Sequence, residues 1–280
     1  MFTKGLAVSG LLLALVTVPT QAQVSGEPGS PQTTAVISPR QHAPRRVLGL
    51  HPDRVVDNVT VSDSTNWSGY AVIGAAFTHA RGSWTVPTVD CSSTPNTYAA
   101  FWVGIDGWTS DTVEQTGTDS DCDGKTPSYY AWYEFYPAGS VLISSLSVAP
   151  GDQMAAAVAF SGSEFTVTIK NETTGKLFSK KGTVSGAKRS SAEWIAEAPC
   201  CTNAGGILPL SDFGTVSFGE DYTAISDTNY AQDSSTLGTI NAFGTNVQEA
   251  IMVSTKGVDE AVPSSLSADG TSFTVTWDSE

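Results

Sequence analysis

The feature that most limits the fold of this chain is its run of short segments rich in β-branched and aromatic residues. "WSGYAVI", "GSWTVP", "TYAAFWVGI", "SYYAWYEFY", "MAAAVAF", "EFTVTIKN", "LFSKKGTV", "SAEWIAEA", "FGTVSF", "EAIMVS" and "SFTVTWD" are parted by clusters of Gly, Pro, Asn, Asp and Ser. Such runs suit strands, and such clusters suit turns. "NETTGK" is a hairpin signal between two alternating runs. No segment keeps a 3.6-residue period for three turns. The pattern predicts an all-β sandwich or barrel formed as one domain.

The two ends of the chain differ in character. Residues 1–22 have a basic start, a short apolar core and the small-residue stretch "TQA". They read as a secretory signal peptide, too short to span a bilayer. Residues 23–60 are rich in Pro, Ser and Gly and hold Arg40, Arg45, Arg46 and Arg54. They read as a flexible leader or an activation peptide, with 61–280 as the working domain. The protein is expected to be secreted, extracellular and monomeric.

Charge narrows the function classes. Of the 14 basic and 28 acidic residues, 5 and 3 precede Val59, which leaves 9 against 25 in the body. So acidic a surface is a poor partner for nucleic acid or an anionic membrane. At low pH it would carry little positive charge, which suits work in acid. The arginines of the leader could rest on this body and leave on acidification.

Four cysteines allow three pairings. Cys91 with Cys122, beside a vicinal Cys200–Cys201 bridge, is the favoured one. Cys-Cys is not ligand spacing and the body has a single histidine, His79, so no metal is expected. His79 lies in no nucleophile motif, and no glycine loop for nucleotides is present. No cofactor is implied. Carboxylates, amides and aromatics remain as chemical tools.

Strand alternation places those tools. In "YYAWYEFYP", Trp132, Glu134 and Tyr136 share one face, with Tyr130 beside them; Tyr129, Ala131, Tyr133 and Phe135 take the other. In "SAEWIAEA", Glu193, Ile195 and Glu197 share a face and Trp194 points away. A carboxyl walled by tryptophan is desolvated, so its pKa rises and it can move protons near the working pH. Gln115, beside a Thr-Gly turn in "EQTGT", is neutral, but its amide can donate to an oxyanion.

"NWSGYAV", "GSWTVP", "FWVGIDG", "EQTGT", "YAWYEFYP", "SAEWIAE" and "DFGTVSF" together resemble, in order, the glutamic peptidases (the eqolisin family). The resemblance covers nearly all of 66–218. It implies a β-sandwich of two antiparallel sheets, concanavalin-like, and hydrolysis of polypeptides. The family's catalytic pair falls on Gln115 and Glu193, and its substrate groove on Trp67, Trp102, Asp106, Trp132, Glu134 and Tyr136. Phe135 stands where tryptophan is frequent, Cys200-Cys201 does not map onto the family's cysteine pattern, and Pro199 to Leu210 reads as a loop of different length beside the groove. Two other readings fit the same residues: a glycoside hydrolase using Glu134 and Glu193, or a non-catalytic module binding sugar or peptide.

Overall fold

The computed structural model describes Met1 and residues 38–200 and 206–279. The signal-peptide reading and Cys201 lie outside the described residues. The strands in chain order are β1 (Arg54–Val56), β2 (Val59–Ser64), β3 (Trp67–Ile73), β4 (His79–Thr85), β5 (Ala100–Ile105) and β6 (Val113–Asp123). Next come β7 (Thr126–Tyr136), β8 (Val141–Ser147), β9 (Gln153–Ser161), β10 (Glu164–Asn171), β11 (Lys176–Gly182) and β12 (Ser191–Glu197). The last are β13 (Thr215–Phe218), β14 (Tyr230–Gln232), β15 (Leu237–Thr239), β16 (Val247–Val253), β17 (Asp259–Pro263) and β18 (Phe273–Trp277). A helical turn at Glu220–Thr223 and a 3₁₀ segment at Ile240–Asn246 interrupt them.

Pairing builds a β-sandwich of two sheets. The front sheet runs β1-β2-β16-β3-β12-β5-β6-β7-β8, antiparallel except between β2 and β16. In the back sheet, β11-β10-β9 continue into β4, whose far edge carries β14 and β13, followed by β18 and β17. β17 also pairs with β16, so the layers are joined along one edge.

The core forms because alternate residues of each front strand point inward. Phe101 and Val103 of β5 and Ala192 and Trp194 of β12 meet Ala156 and Val158 of β9 and Val167 and Ile169 of β10. The residues between them face the opposite way and form a second cluster, with Trp67, Trp102, Trp132 and Ile195. A strand apolar on both faces is one whose second face is covered as well.

The expected strands are present, and "NETTGK" joins β10 to β11 at Asn171 and Lys176. One element departs from expectation. Thr116 and Gly117 do not form a turn; they lie inside the 11-residue β6, which is buried except at Asp123. Its polar residues hide the pattern because their partners are distant in sequence. Thr118 Oγ1 accepts the Trp84 indole N–H at 2.9 Å, and Thr116 Oγ1 donates to the Trp132 carbonyl at 2.6 Å.

Cys91 and Cys122 are bonded, with Cα atoms 5.3 Å apart. Asn66 and Asn171, both in sequences that could accept a glycan, are buried and hydrogen-bonded, so neither amide is presented to solvent. The leader from residue 38 onward packs against the body. Its end forms a hairpin, β1–β2, turning through Asp57 and Asn58 at φ 49° and 68°. Two successive left-handed residues of this type make the tight turn that matches strand twist.

Candidate active site

Register brings the site together. Residues directly opposite in antiparallel strands share a face. Glu193 of β12 lies opposite Gly104 of β5, Gly104 opposite Gln115 of β6, and Gln115 opposite Glu134 of β7. Two residues along, Ile195, Trp102, Gly117 and Trp132 form a second row, and Glu197, Ala100, Asp119 and Tyr130 a third. Trp67 of β3 stands opposite Glu197. Gly104 puts no side chain between Glu193 and Gln115. At Gly117 a Cβ would collide with the Phe101 carbonyl and come within 2.6 Å of Trp102 Cβ, so the second row admits only glycine there.

All four acids of these rows are buried, and burial pushes each carboxyl well above its usual range. Glu193 is raised first by burial and further by the charges of Asp106 and Glu114. No hydrogen bond of good geometry reaches either oxygen among the described residues, although the Ser191 side chain lies near enough to draw the carboxyl part of the way back down. Glu134 Oε2 accepts from Gln115 Nε2 at 3.1 Å. Glu197 is raised by burial and by Glu134, and its Oε2 accepts the Trp102 indole N–H at 2.8 Å. The Tyr130 hydroxyl is 2.6 Å from Asp119 Oδ2 and 2.8 Å from Asp121 Oδ2. A phenol has one proton to donate, so the second contact requires a carboxyl that still holds its own. Asp119 is accordingly raised by burial and by Asp121, and Asp121 is raised by burial to about 7.

The leader lies across this face. The Gln41 N–H donates to the Cys200 carbonyl at 3.0 Å, and the Cys200 N–H donates back at 2.8 Å. The His42 imidazole stacks on Trp132 with centroids 3.6 Å apart. The His42 N–H donates to Glu134 Oε2 at 3.0 Å and the Ala43 N–H to Glu197 Oε1 at 3.1 Å. Gln115 Nε2 donates to the His42 carbonyl at 2.9 Å. Trp67 Nε1 and Asn66 Nδ2 donate to the Ala43 carbonyl at 3.1 and 3.3 Å. With two acceptors beside it, the nitrogen end of the Gln115 amide is identified by its surroundings.

Charge contributes less to this seat than the composition suggests. Arg40 pairs with Asp121 and Asp123, each at 3.3 Å. Arg45 instead lies over the Trp108 ring at 3.9 Å and donates to Ser62 Oγ at 2.6 Å. Arg54 is exposed in β1.

The eight residues singled out in the sequence thus divide by contact. Gln115, Glu134, Trp67 and Trp132 touch the bound segment, and Trp102 reaches it through Glu197. Glu193 is buried in the same row as Gln115. Tyr136 packs at the margin of the outer apolar cluster. Asp106, at φ 74°, uses its carboxylate to accept the Lys188, Arg189 and Ser190 N–H groups at 2.8, 2.6 and 2.9 Å. It thereby fixes the loop that leads into β12. Glu197 and Asp119 belong to the site but were not singled out. Period-two stepping from Gln115 through 117 to 119 would have found Asp119 had β6 been read as a strand. His79 stacks on Tyr230 in the back sheet, with centroids 5.5 Å apart. Among the described residues no cluster of three or more His, Cys, Asp or Glu side chains is arranged to hold a metal.

The raised carboxyls set a pH dependence of stability. Asp121 is raised to about 7, and Glu114 is raised, first by burial and then by Asp106, to about 9. Between the ordinary carboxylate range and those values the folded chain binds more protons than the unfolded one, so stability falls as pH rises. The penalty is absent in acid and complete above about 9. Buried His42, held well below its usual value by burial, and His79, lowered by burial and then by Arg81, work the other way, two groups against the several raised carboxyls. The melting temperature is expected to climb as pH is lowered from about 9 to about 4. A flat or falling profile would contradict these directions.

Comparisons with known proteins point to one family. The sequence pattern of the peptidase A4 family matches residues 65–277. Aspergillopepsin-2 of Aspergillus niger is 30% identical over 237 residues, 76% of this chain and 78% of that protein. Scytalidopepsin B of Scytalidium lignicola is 33% identical over 196 residues, covering 68% and 74%. The crystal structure of scytalido-glutamic peptidase with a transition state analog inhibitor superposes with a TM-score of 0.64 at 25% identity, over 76% of this chain and 98% of that one.

Proposed function

The chain belongs to the peptidase A4 family, the eqolisins, and from that premise we propose that it is a secreted endopeptidase whose Glu193 and Gln115 hydrolyse polypeptides. One observation carries the assignment. Gln115 Nε2 donates to a peptide carbonyl at 2.9 Å, on the face and in the row of the buried Glu193 carboxyl.

Ionised Glu193 takes a proton from a water, and the water oxygen attacks the substrate carbonyl carbon. Charge develops on the carbonyl oxygen, where the Gln115 amide N–H is already aimed. Glu193 then passes its proton to the departing nitrogen. Glu134 orients the Gln115 amide through the 3.1 Å bond. Glu197, Trp67 and Asn66 hold the peptide on the leaving side. Substrate selection rests on backbone contacts plus a flat seat on Trp132.

Residues 1–22 are proposed as the signal peptide and 23–60 as a propeptide. The segment from Gln41 to Arg45 covers the site and blocks substrate. Water that enters the site hydrates Glu193 and brings its pKa back toward the usual carboxylate range. The base then works in mild acid. The test is incubation of the purified secreted protein with a denatured protein at about pH 4. Internal peptide bonds are expected to be cut. A preparation that leaves the substrate intact, after its leader has been removed, would overturn the proposal.

A further inference from the structure

The leader does more than cover the site. We infer that the peptide bond between His42 and Ala43 is the bond the active site cuts in its own chain, an inference that rests on the peptidase reading above. Its register is fixed at several independent points. The two Gln41–Cys200 hydrogen bonds, the stacking of His42 on Trp132, and the Arg45 N–H donated to the Gly107 carbonyl at 3.1 Å leave no room to slide. In that register the His42 carbonyl takes the Gln115 amide. The N–H on the far side of the same peptide bond, that of Ala43, is held by Glu197. Both ends of one bond are therefore gripped by the residues a peptidase would use on its substrate, with Glu193 in the same row.

The side-chain seat has its own chemistry. The His42 ring is fully buried, 10° from parallel with Trp132. Its Nε2 is 3.6 Å from Asp119 Oδ1 and its Nδ1 is 3.4 Å from Glu197 Oε2. Burial lowers the imidazole pKa and raises those of both carboxyls, so the slot disfavours charge and suits a flat ring with polar edges.

The step needs only water. The water oxygen bonds to the His42 carbonyl carbon while Glu193 takes one of its protons. The bond from that carbon to the Ala43 nitrogen breaks, and the proton held by Glu193 moves to the nitrogen. His42 ends as a free carboxyl and Ala43 as a free amine. The same water hydrates Glu193 and lowers the burial cost of its charged form.

The experiment follows the new N-termini of the full-length secreted chain, shifted from neutral pH to about pH 4, by mass spectrometry beside its activity on a denatured protein. An early N-terminus at Ala43 is expected. Ala43→Pro removes the N–H that Glu197 holds and should slow this cut about tenfold or more, with an unchanged melting profile to show that it folds. An active chain whose new N-termini never include Ala43 overturns the inference and leaves the peptidase reading standing. Cutting at Ala43 in a Glu193→Gln chain also overturns it, because another enzyme would then be responsible. A leader-free chain inert toward every protein substrate fails the peptidase reading itself.

Discussion

Replacing Glu193 with glutamine is expected to lower kcat on protein substrates by about 10²–10⁴-fold, the usual contribution of a positioned general base. The substitution keeps the shape of the side chain but removes its ability to take and return a proton. KM should change little, because among the described residues the hydrogen bonds that hold the leader run to Gln115, Glu134, Glu197, Trp67 and Asn66 and not to Glu193. The same substitution separates catalysis from folding. Burial and the charges of Asp106 and Glu114 disfavour the ionised side chain. A neutral glutamine carries no such charge, so the melting temperature at neutral pH should hold or rise. A variant that retains wild-type turnover would remove Glu193 from the mechanism. A variant that loses activity together with its melting transition would report damage to the fold instead.

Gln115→Ala tests the other partner. Loss of a single oxyanion donor typically costs about 10²–10³-fold in rate. The effect should fall mainly on kcat, because the hydrogen bond strengthens as charge builds on the carbonyl oxygen. This variant also separates the reading from a glycoside hydrolase built on Glu134 and Glu193, in which an amide at position 115 has no required part. Gln115 ties Glu134 Oε2 at 3.1 Å. Its loss removes one of the donors to that oxygen, so a modest change in the pH profile should accompany the drop in rate. Undiminished proteolysis by Gln115→Ala would end the assignment of this residue.

Much of the site was legible because strand geometry is local. Period two in "SAEWIAE" places Glu193, Ile195 and Glu197 together, and period two in "YAWYEFY" places Trp132 and Glu134 together; both hold in β12 and β7. β6 was the exception. Its run "VEQTGTDSDCD" alternates polar with polar, so neither face looks like core. That strand is stable because its hydroxyls and acids find partners on β4 and β7, and a linear pattern carries no trace of them. Asp119 went unseen for the same reason. Asp106 was legible as a site residue by motif, but its structural task of holding three N–H groups of the 188–190 loop was not.

The residues alone determined that this chain is made of strands, which side of each strand carries acid and tryptophan, and that no histidine of the body is placed to drive the chemistry. Those properties follow from side-chain alternation and composition, which need no knowledge of neighbours. Only the tertiary structure decided that β12, β5, β6 and β7 lie side by side in the register that lines up Glu193, Gly104, Gln115 and Glu134. It alone seated His42 on Trp132. Strand order and register are set by hydrogen bonds and packing between segments far apart in the chain, and a shift of one residue would turn every one of these groups to the other face.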